Sequence, residues 1–202
     1  MATTRGSSKR KAEEVLSAKE PKLEEKKTAS KAAPKAAEVS AEPTEDKKPA
    51  KKLKAGIAVG DMIPDVIVET DEEIDVNLRE LTAENGIVIF FYPKASTPGC
   101  TQQACGFRDN FEQFTDAGFK VYGMSGDKAP AQAKFRSKFD MPFGLLCDPS
   151  GDARKALGVF KAGGSTVRSH LIFGKGGLCL DAQIQVGPKV SVDSATEFVS
   201  KL

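Results

Sequence analysis

Ile87-Val88-Ile89-Phe90-Phe91-Tyr92-Pro93-Lys94-Ala95-Ser96-Thr97-Pro98-Gly99-Cys100-Thr101-Gln102-Gln103-Ala104-Cys105 holds the strand and the helix start from which the fold follows. Its first six residues are β-prone and apolar without alternation, as expected of a strand covered on both faces in an α/β sheet. From about Pro98 to Ala117, Ala104, Phe107, Phe111 and Phe114 recur at helical spacing, and Gly118 is a natural stop. Cys100 falls at the opening of that helix, where unpaired backbone N–H groups favour an anion. A free thiol ionises near pH ~8.5, and a helix N-terminus or a nearby arginine makes the thiolate easier to form.

Working outward, Asp65 to Thr70 and Ile74 to Leu78 predict a short leading hairpin. Downstream, Phe119 to Ser125 reads as a strand, Ala129 to Phe139 as a helix, and Gly144 to Cys147 as a short strand before an Asp-Pro-Ser-Gly turn. A short helix near Asp152 to Leu157 follows. Val167 to Phe173 and Leu178 to Val186 then flank Gly174-Lys175-Gly176-Gly177, a hairpin signal, and a last helix starts at about Val192. A β-α-β core followed by a β-β-α unit is the order of the thioredoxin-like α/β fold, here with an N-terminal extension and an inserted segment.

Composition changes abruptly near Lys54. Residues 1–55 hold fifteen Lys or Arg, nine Asp or Glu and no aromatic residue, a composition that buries too little apolar surface to fold. The formal charge of the whole chain is +2, so residues 56–202 carry about −4 and the basicity belongs to the tail. The expected organisation is a disordered basic tail over 1–55 and one domain over 56–202. Lys9-Arg10-Lys11 and Lys47-Lys48-Pro49-Ala50-Lys51-Lys52-Leu53-Lys54 are nuclear-localisation candidates. A solvated linker and a chromatin-attaching tail remain alternatives. Without aromatics among the lysines, single-strand nucleic-acid recognition is disfavoured. No apolar signal segment precedes Cys100, Cys105, Cys147 and Cys179, and no apolar run spans a membrane, so a reducing compartment, nuclear or cytoplasmic, is expected.

Pro93, Thr97 and Cys100 occupy the places of Pro-x-x-x-Thr-x-x-Cys, the active-site pattern of peroxiredoxins, which the segment resembles. The longer run Thr-Pro-Gly-Cys-Thr-x-x-Ala-Cys, continued by Gly106-Phe107-Arg108-Asp109, is similar to that of the peroxiredoxin Q class, also called bacterioferritin comigratory proteins. The likeness extends more loosely over residues 57–202, and the tail resembles that of nuclear members of the class. It implies a thiol peroxidase with no cofactor or metal, acting on hydrogen peroxide and alkyl hydroperoxides in antioxidant defence and recycled by thioredoxin.

Each residue of the pattern also has a physical task. A thiolate attacks one peroxide oxygen while charge grows on the departing one, so the site must stabilise an anion and donate hydrogen bonds. Thr97 offers a hydroxyl that both accepts and donates. Pro93 has no N–H and stiffens the loop entry, which is expected to limit solvent access. The resemblance places the family's arginine at Arg168, within the apolar string Val167 to Phe173, where a guanidinium calls for an anionic partner.

Attack leaves a sulfenic acid, and Cys105 is the expected resolving thiol. On one ideal helix the two Cα atoms would be roughly 8.7 Å apart. Disulfides rarely exceed about 7 Å, so residues 98–106 are expected to unwind when the bond closes. Cys147 and Cys179 read as small buried apolar residues. His170 is expected to face away from Arg168 and to be a core or surface residue. An intrachain pair needs no partner subunit, so a monomer is expected. A nuclear import receptor reading the tail is the further expected partner. Two rivals stand beside this reading: a thioredoxin-type dithiol oxidoreductase, and a chromatin- or DNA-associated redox-sensing protein.

Overall fold

The computed structural model describes residues 56–202; the tail over 1–55, with its localisation candidates, lies outside the described residues. Every residue of β3 (Gly86–Phe91) is buried, because the strand lies inside a seven-stranded sheet. Residues two apart on a strand share a face. Val88 and Phe90 accordingly meet an aromatic-rich core with Phe107, Phe114 and Phe135, while Ile87, Ile89 and Phe91 meet a mostly aliphatic one with Leu146, Leu157 and Leu171.

The sheet order is β2-β1-β5-β4-β3-β6-β7. Parallel pairing joins β3 to β4 (Phe119–Ser125) and β4 to β5 (Leu145–Cys147). The antiparallel hairpin β6 (Ser169–Phe173) and β7 (Cys179–Ile184) extends one edge beyond β3. The leading hairpin β1 (Ile67–Thr70) and β2 (Asp75–Asn77) extends the other. This is the expected thioredoxin-like α/β architecture.

Two boundaries differ from the sequence reading. The helix expected over Pro98 to Ala117 is two helices, α1 (Pro98–Asp109) and α2 (Phe111–Asp116). The break is at Asn110, with φ −106° and ψ 14°, whose side-chain amide donates to the Gly106 carbonyl at 2.8 Å. Short polar side chains of this kind compete with the helical backbone for its own hydrogen bonds. After α3 (Ala129–Lys138) and α4 (Asp152–Ala156), the last helix α5 (Pro188–Val199) begins earlier than expected. Proline suits the first helical turn, where its missing N–H costs nothing.

The helices α1 and α5 pack closely. A Cβ on Gly106 would fall 2.7 Å from Val192 Cγ2, so the contact requires glycine. Because β3 and β4 are parallel, their C-terminal ends bring the Pro93 to Thr97 loop beside the Gly126 to Lys128 turn, the edge at which open α/β sheets place their sites. No helix among the described residues is long and apolar enough to cross a membrane.

Candidate active site

Cys100 is the third residue of α1 and only 1% exposed. The helix starts where it does because Thr97 is extended, at φ −86° and ψ 153°, and its carbonyl accepts the first helical bond from Thr101 N at 2.8 Å. The Thr97 hydroxyl donates to the Lys94 carbonyl at 3.1 Å, so its proton is committed to the loop rather than to the sulfur. Pro93 is exposed at the rim of the loop, where its ring stiffens the entry.

The loop is held from the neighbouring strand. Ala95 N donates to Asp127 Oδ2 at 2.7 Å, and Ser125 Oγ donates to the same oxygen at 2.9 Å. Gln132 in turn donates to Ser125 Oγ at 2.9 Å and accepts from the buried Tyr92 hydroxyl at 2.6 Å. These bonds fix Ser96 at φ 60°, a left-handed conformation that costs a non-glycine residue about 1–3 kcal/mol. That strain turns the chain from the end of β3 into α1.

Arg168 comes from a distant part of the sequence and lies immediately before β6, not inside it as the apolar string suggested. Its carbonyl still accepts from Val186 N at 3.0 Å, which continues the ladder by one step and fixes the backbone. The guanidinium crosses to α1. Nη2 donates to Cys100 Sγ at 3.3 Å, and Nη1 donates to the Gly99 carbonyl at 3.2 Å and to Gln103 Oε1 at 2.7 Å. Among the described residues its partners are a carbonyl, an amide oxygen and the sulfur and no carboxylate, so a permanent positive charge stands beside the sulfur.

Gln103 and Asp127 escaped the sequence reading. Gln103 is three residues after Cys100, and that helical spacing alone places the two side chains on one face. Asp127 closes the turn after a strand parallel to β3, a location that topology marks once the sheet order is known.

Cys105 is partly exposed and shares the uninterrupted α1 with Cys100. All four cysteines are free thiols. Burial pushes the Cys147 thiol up to about 12 and the Cys179 thiol up to about 11, with nearby carboxylates adding to both, so these two stay protonated at neutral pH. His170 is fully buried and, two residues along from Arg168, faces the same side of the sheet rather than the opposite one. Burial holds its pKa below the ordinary 6.5, against the opposing pull of Asp181.

The arrangement suits attack by a sulfur anion on a small molecule. The nucleophile sits at a helix N-terminus, a guanidinium donates to it, and burial excludes any partner as large as a folded protein.

Residues 59–179 match the model of the AhpC/TSA family. Peroxiredoxin bcp1 of Schizosaccharomyces pombe is 46% identical over 132 residues, spanning 64% of this chain and 68% of that protein. Peroxidoxin BcpB of Mycobacterium tuberculosis superposes with a TM-score of 0.68 at 27% identity, covering 71% of this chain and 97% of that one. The bacterioferritin comigratory protein of Xanthomonas campestris, solved in connection with its alkyl peroxide reduction activity, gives 0.65 at 25% identity, over 73% of this chain and 98% of its own. Sequence, topology and the thiol at the helix start agree, and the chain belongs to the AhpC/TSA family, among the peroxiredoxins of the Q or bacterioferritin comigratory class.

Proposed function

We propose that this peroxiredoxin reduces alkyl hydroperoxides and hydrogen peroxide through Cys100 as nucleophile and Cys105 as resolving thiol. The observation that carries the reading is the Arg168 Nη2 to Cys100 Sγ contact at 3.3 Å. The Cys100 thiolate attacks the terminal peroxide oxygen. An S–O bond forms, the O–O bond breaks, and sulfur is oxidised by two electrons. The departing oxygen takes a proton and leaves as alcohol or water. Arg168 offers its charge to both the thiolate and the developing oxyanion without becoming a proton source.

The Cys105 thiolate then attacks the sulfenic sulfur; an S–S bond forms, the S–O bond breaks and water leaves. Cys100 and Cys105 start on one regular helix, so closing the bond requires residues 98–106 to unwind. A dithiol donor of the thioredoxin type returns the disulfide to two thiols and is itself oxidised. A thioredoxin-type role for the chain itself is disfavoured, because a sulfur 1% exposed is closed to a protein disulfide.

NADPH consumption with thioredoxin, thioredoxin reductase and tert-butyl hydroperoxide tests the reading. Turnover is expected to vanish in Cys100→Ser. In Cys105→Ser, steady-state turnover is lost while a single stoichiometric oxidation of Cys100 survives. Absence of peroxide-dependent oxidation of Cys100 in the unaltered protein would overturn it.

For the chain as a whole, the reading is a monomer with a nuclear address. An intrachain thiol pair needs no second subunit, which sedimentation of the reduced and oxidised chain would check. The two basic clusters are suited to an import receptor, and their replacement by alanine should leave a fluorescent fusion cytoplasmic. Retention on DNA by residues 1–55 alone, lost with rising salt, would favour chromatin attachment instead.

A further inference from the structure

Behind Arg168 lies a column of buried polar side chains that the chemistry above does not use. Gln103 Nε2 bonds Ser191 Oγ at 2.9 Å, Ser191 Oγ meets His170 Nδ1 at 3.2 Å, and His170 Nε2 meets Asp181 Oδ2 at 3.3 Å. Gln103, Ser191 and His170 are each 0% exposed. They come from three elements, α1, α5 and β6, and the column ends on β7.

The chemistry at the two ends fixes the direction of every bond. A guanidinium only donates, so the Gln103 amide must turn its oxygen to Arg168 and its nitrogen to Ser191. A carboxylate only accepts, so His170 must carry its hydrogen on Nε2. Its Nδ1 is then an acceptor, and the Ser191 hydroxyl, already receiving from Gln103, donates to it. Arg168, Gln103, Ser191, His170 and Asp181 thus form one donor chain running from a cation to an anion, with no link reversed.

We propose that Ser191, His170 and Asp181 are positioning residues that hold Arg168 against Cys100 through Gln103, and that the hold depends on His170 being neutral. The proposal rests on the peroxidase reading for its kinetic consequence but not for its spectroscopic one. A protonated imidazole carries hydrogens on both nitrogens. It then aims a donor at Ser191, whose own proton loses its acceptor in a closed site, so Ser191 must turn and its contact with the Gln103 amide slackens. Gln103 Oε1 is the shortest of the contacts orienting the guanidinium, so slack there moves Nη2 off the sulfur.

The groups facing His170 make it the titrating member of the column. From β7 comes Asp181, whose other carboxylate oxygen accepts from Gln183. From α5 comes Ser191 and from α1 Gln103, neither of which ionises, and β3 supplies Phe90 as the cross-strand neighbour. Arg168 and the Cys100 thiol to which it donates are the other ionisable groups on this face. Because burial keeps the imidazole pKa below 6.5, the column is intact at neutral pH and fails only in acid.

His170 is the chain's one histidine, so its ring gives a single set of resonances. In reduced, full-length protein labelled with 15N-histidine, the ring is expected as the Nε2–H tautomer at pH 7. Its nitrogen shifts should move in Arg168→Ala, although Arg168 does not touch the ring. In parallel, the second-order rate of Cys100 oxidation by hydrogen peroxide is followed against pH. The unaltered protein should lose rate in acid with the midpoint of the His170 resonances. His170→Gln, which can donate and accept in the same sense but does not titrate there, should keep the neutral rate within about twofold and lack that step. Ser191→Ala should be slower by roughly three- to tenfold at neutral pH, as for a misplaced catalytic group.

An Nδ1–H tautomer, or ring shifts indifferent to Arg168→Ala, would overturn the proposal even if the protein had no peroxidase activity. So would superimposable pH profiles for the unaltered protein and His170→Gln. Should Ser191→Ala fail to fold, these two measurements still decide.

Discussion

Arg154 and Arg168 stand fourteen residues apart, and their surroundings are opposite in kind. Arg154, 2% exposed, is saturated. Its Nε donates to Asp148 Oδ2 at 3.0 Å, Nη2 to the Asp148 carbonyl at 2.7 Å, and Nη1 to Thr166 Oγ1 at 2.8 Å and the Gly164 carbonyl at 3.1 Å. Its guanidinium carbon also lies 5.2 Å from the centre of the Phe160 ring. A carboxylate neutralises the charge, and the group ties the Asp148 turn to the segment that returns to β6. Arg168 has an amide oxygen, a carbonyl and a sulfur, all of them uncharged while the thiol is protonated. The same side chain serves as a structural clamp where its charge is cancelled and as a chemical tool where it is left for the thiolate.

The contrast predicts effects on different observables. Arg154→Ala leaves Asp148 buried without its cation and should cost about 3–5 kcal/mol of stability in urea unfolding. The peroxide rate per folded molecule should stay unchanged. Arg168→Ala should lower the rate of Cys100 oxidation by roughly 10²–10³-fold, the usual loss for one donor to a developing oxyanion. Its unfolding free energy should fall by less than that of Arg154→Ala, by about 1–3 kcal/mol, since the buried Gln103 oxygen loses its donor but no buried carboxylate is orphaned. If Arg168→Ala unfolded the protein, or Arg154→Ala silenced a folded one, the division between clamp and tool would be wrong.

The contrast extends to glycines, because each guanidinium lies against one. A Cβ on Gly126 would meet Arg154 Nη2 at 2.8 Å, Nη1 at 2.9 Å and Cζ at 3.0 Å. Arg154 is pinned on every side, so Gly126→Ala should behave as overpacking and cost about 1–3 kcal/mol, read from the thermal midpoint.

How much of this was legible in the sequence follows from how local each signal is. β3 was readable because a strand buried on both faces is apolar throughout, and the helical stretch of α1 and α2 because its aromatic stripe and Gly118 are local. The break at Asn110 was not, since it depends on one side chain folding back on the Gly106 carbonyl. Cys100 was readable from its place at a helix start. Arg168 came only through the family resemblance, because nothing near it in sequence points across to α1. Gln103 was within reach by helical spacing and was missed. Ser191 and Asp181 were out of reach, for each is functionally ordinary until α5 and β7 are laid against His170. The Asp148 to Arg154 pair was read only as a turn, since a buried ion pair and a surface one look alike in sequence.

The smallest expected effect is the most discriminating. A Cβ on Gly99 would lie 3.3 Å from Arg168 Nη2 and 3.6 Å from Pro188 Cγ, so the guanidinium must give by a few tenths of an ångström. Unlike the buried Arg154, Arg168 is only partly buried and has room to do so. Gly99 is not in a left-handed conformation, and alanine is the better helix former by roughly 0.5–1 kcal/mol. Gly99→Ala should therefore raise the thermal midpoint slightly while slowing Cys100 oxidation by less than about tenfold, through misplacement alone. Stability and activity moving in opposite directions would locate the function in the aim of Arg168 and not in the firmness of α1. An unchanged rate would mean that the guanidinium finds a second position serving the sulfur equally well, and the uncompensated charge would then matter through its presence rather than its geometry.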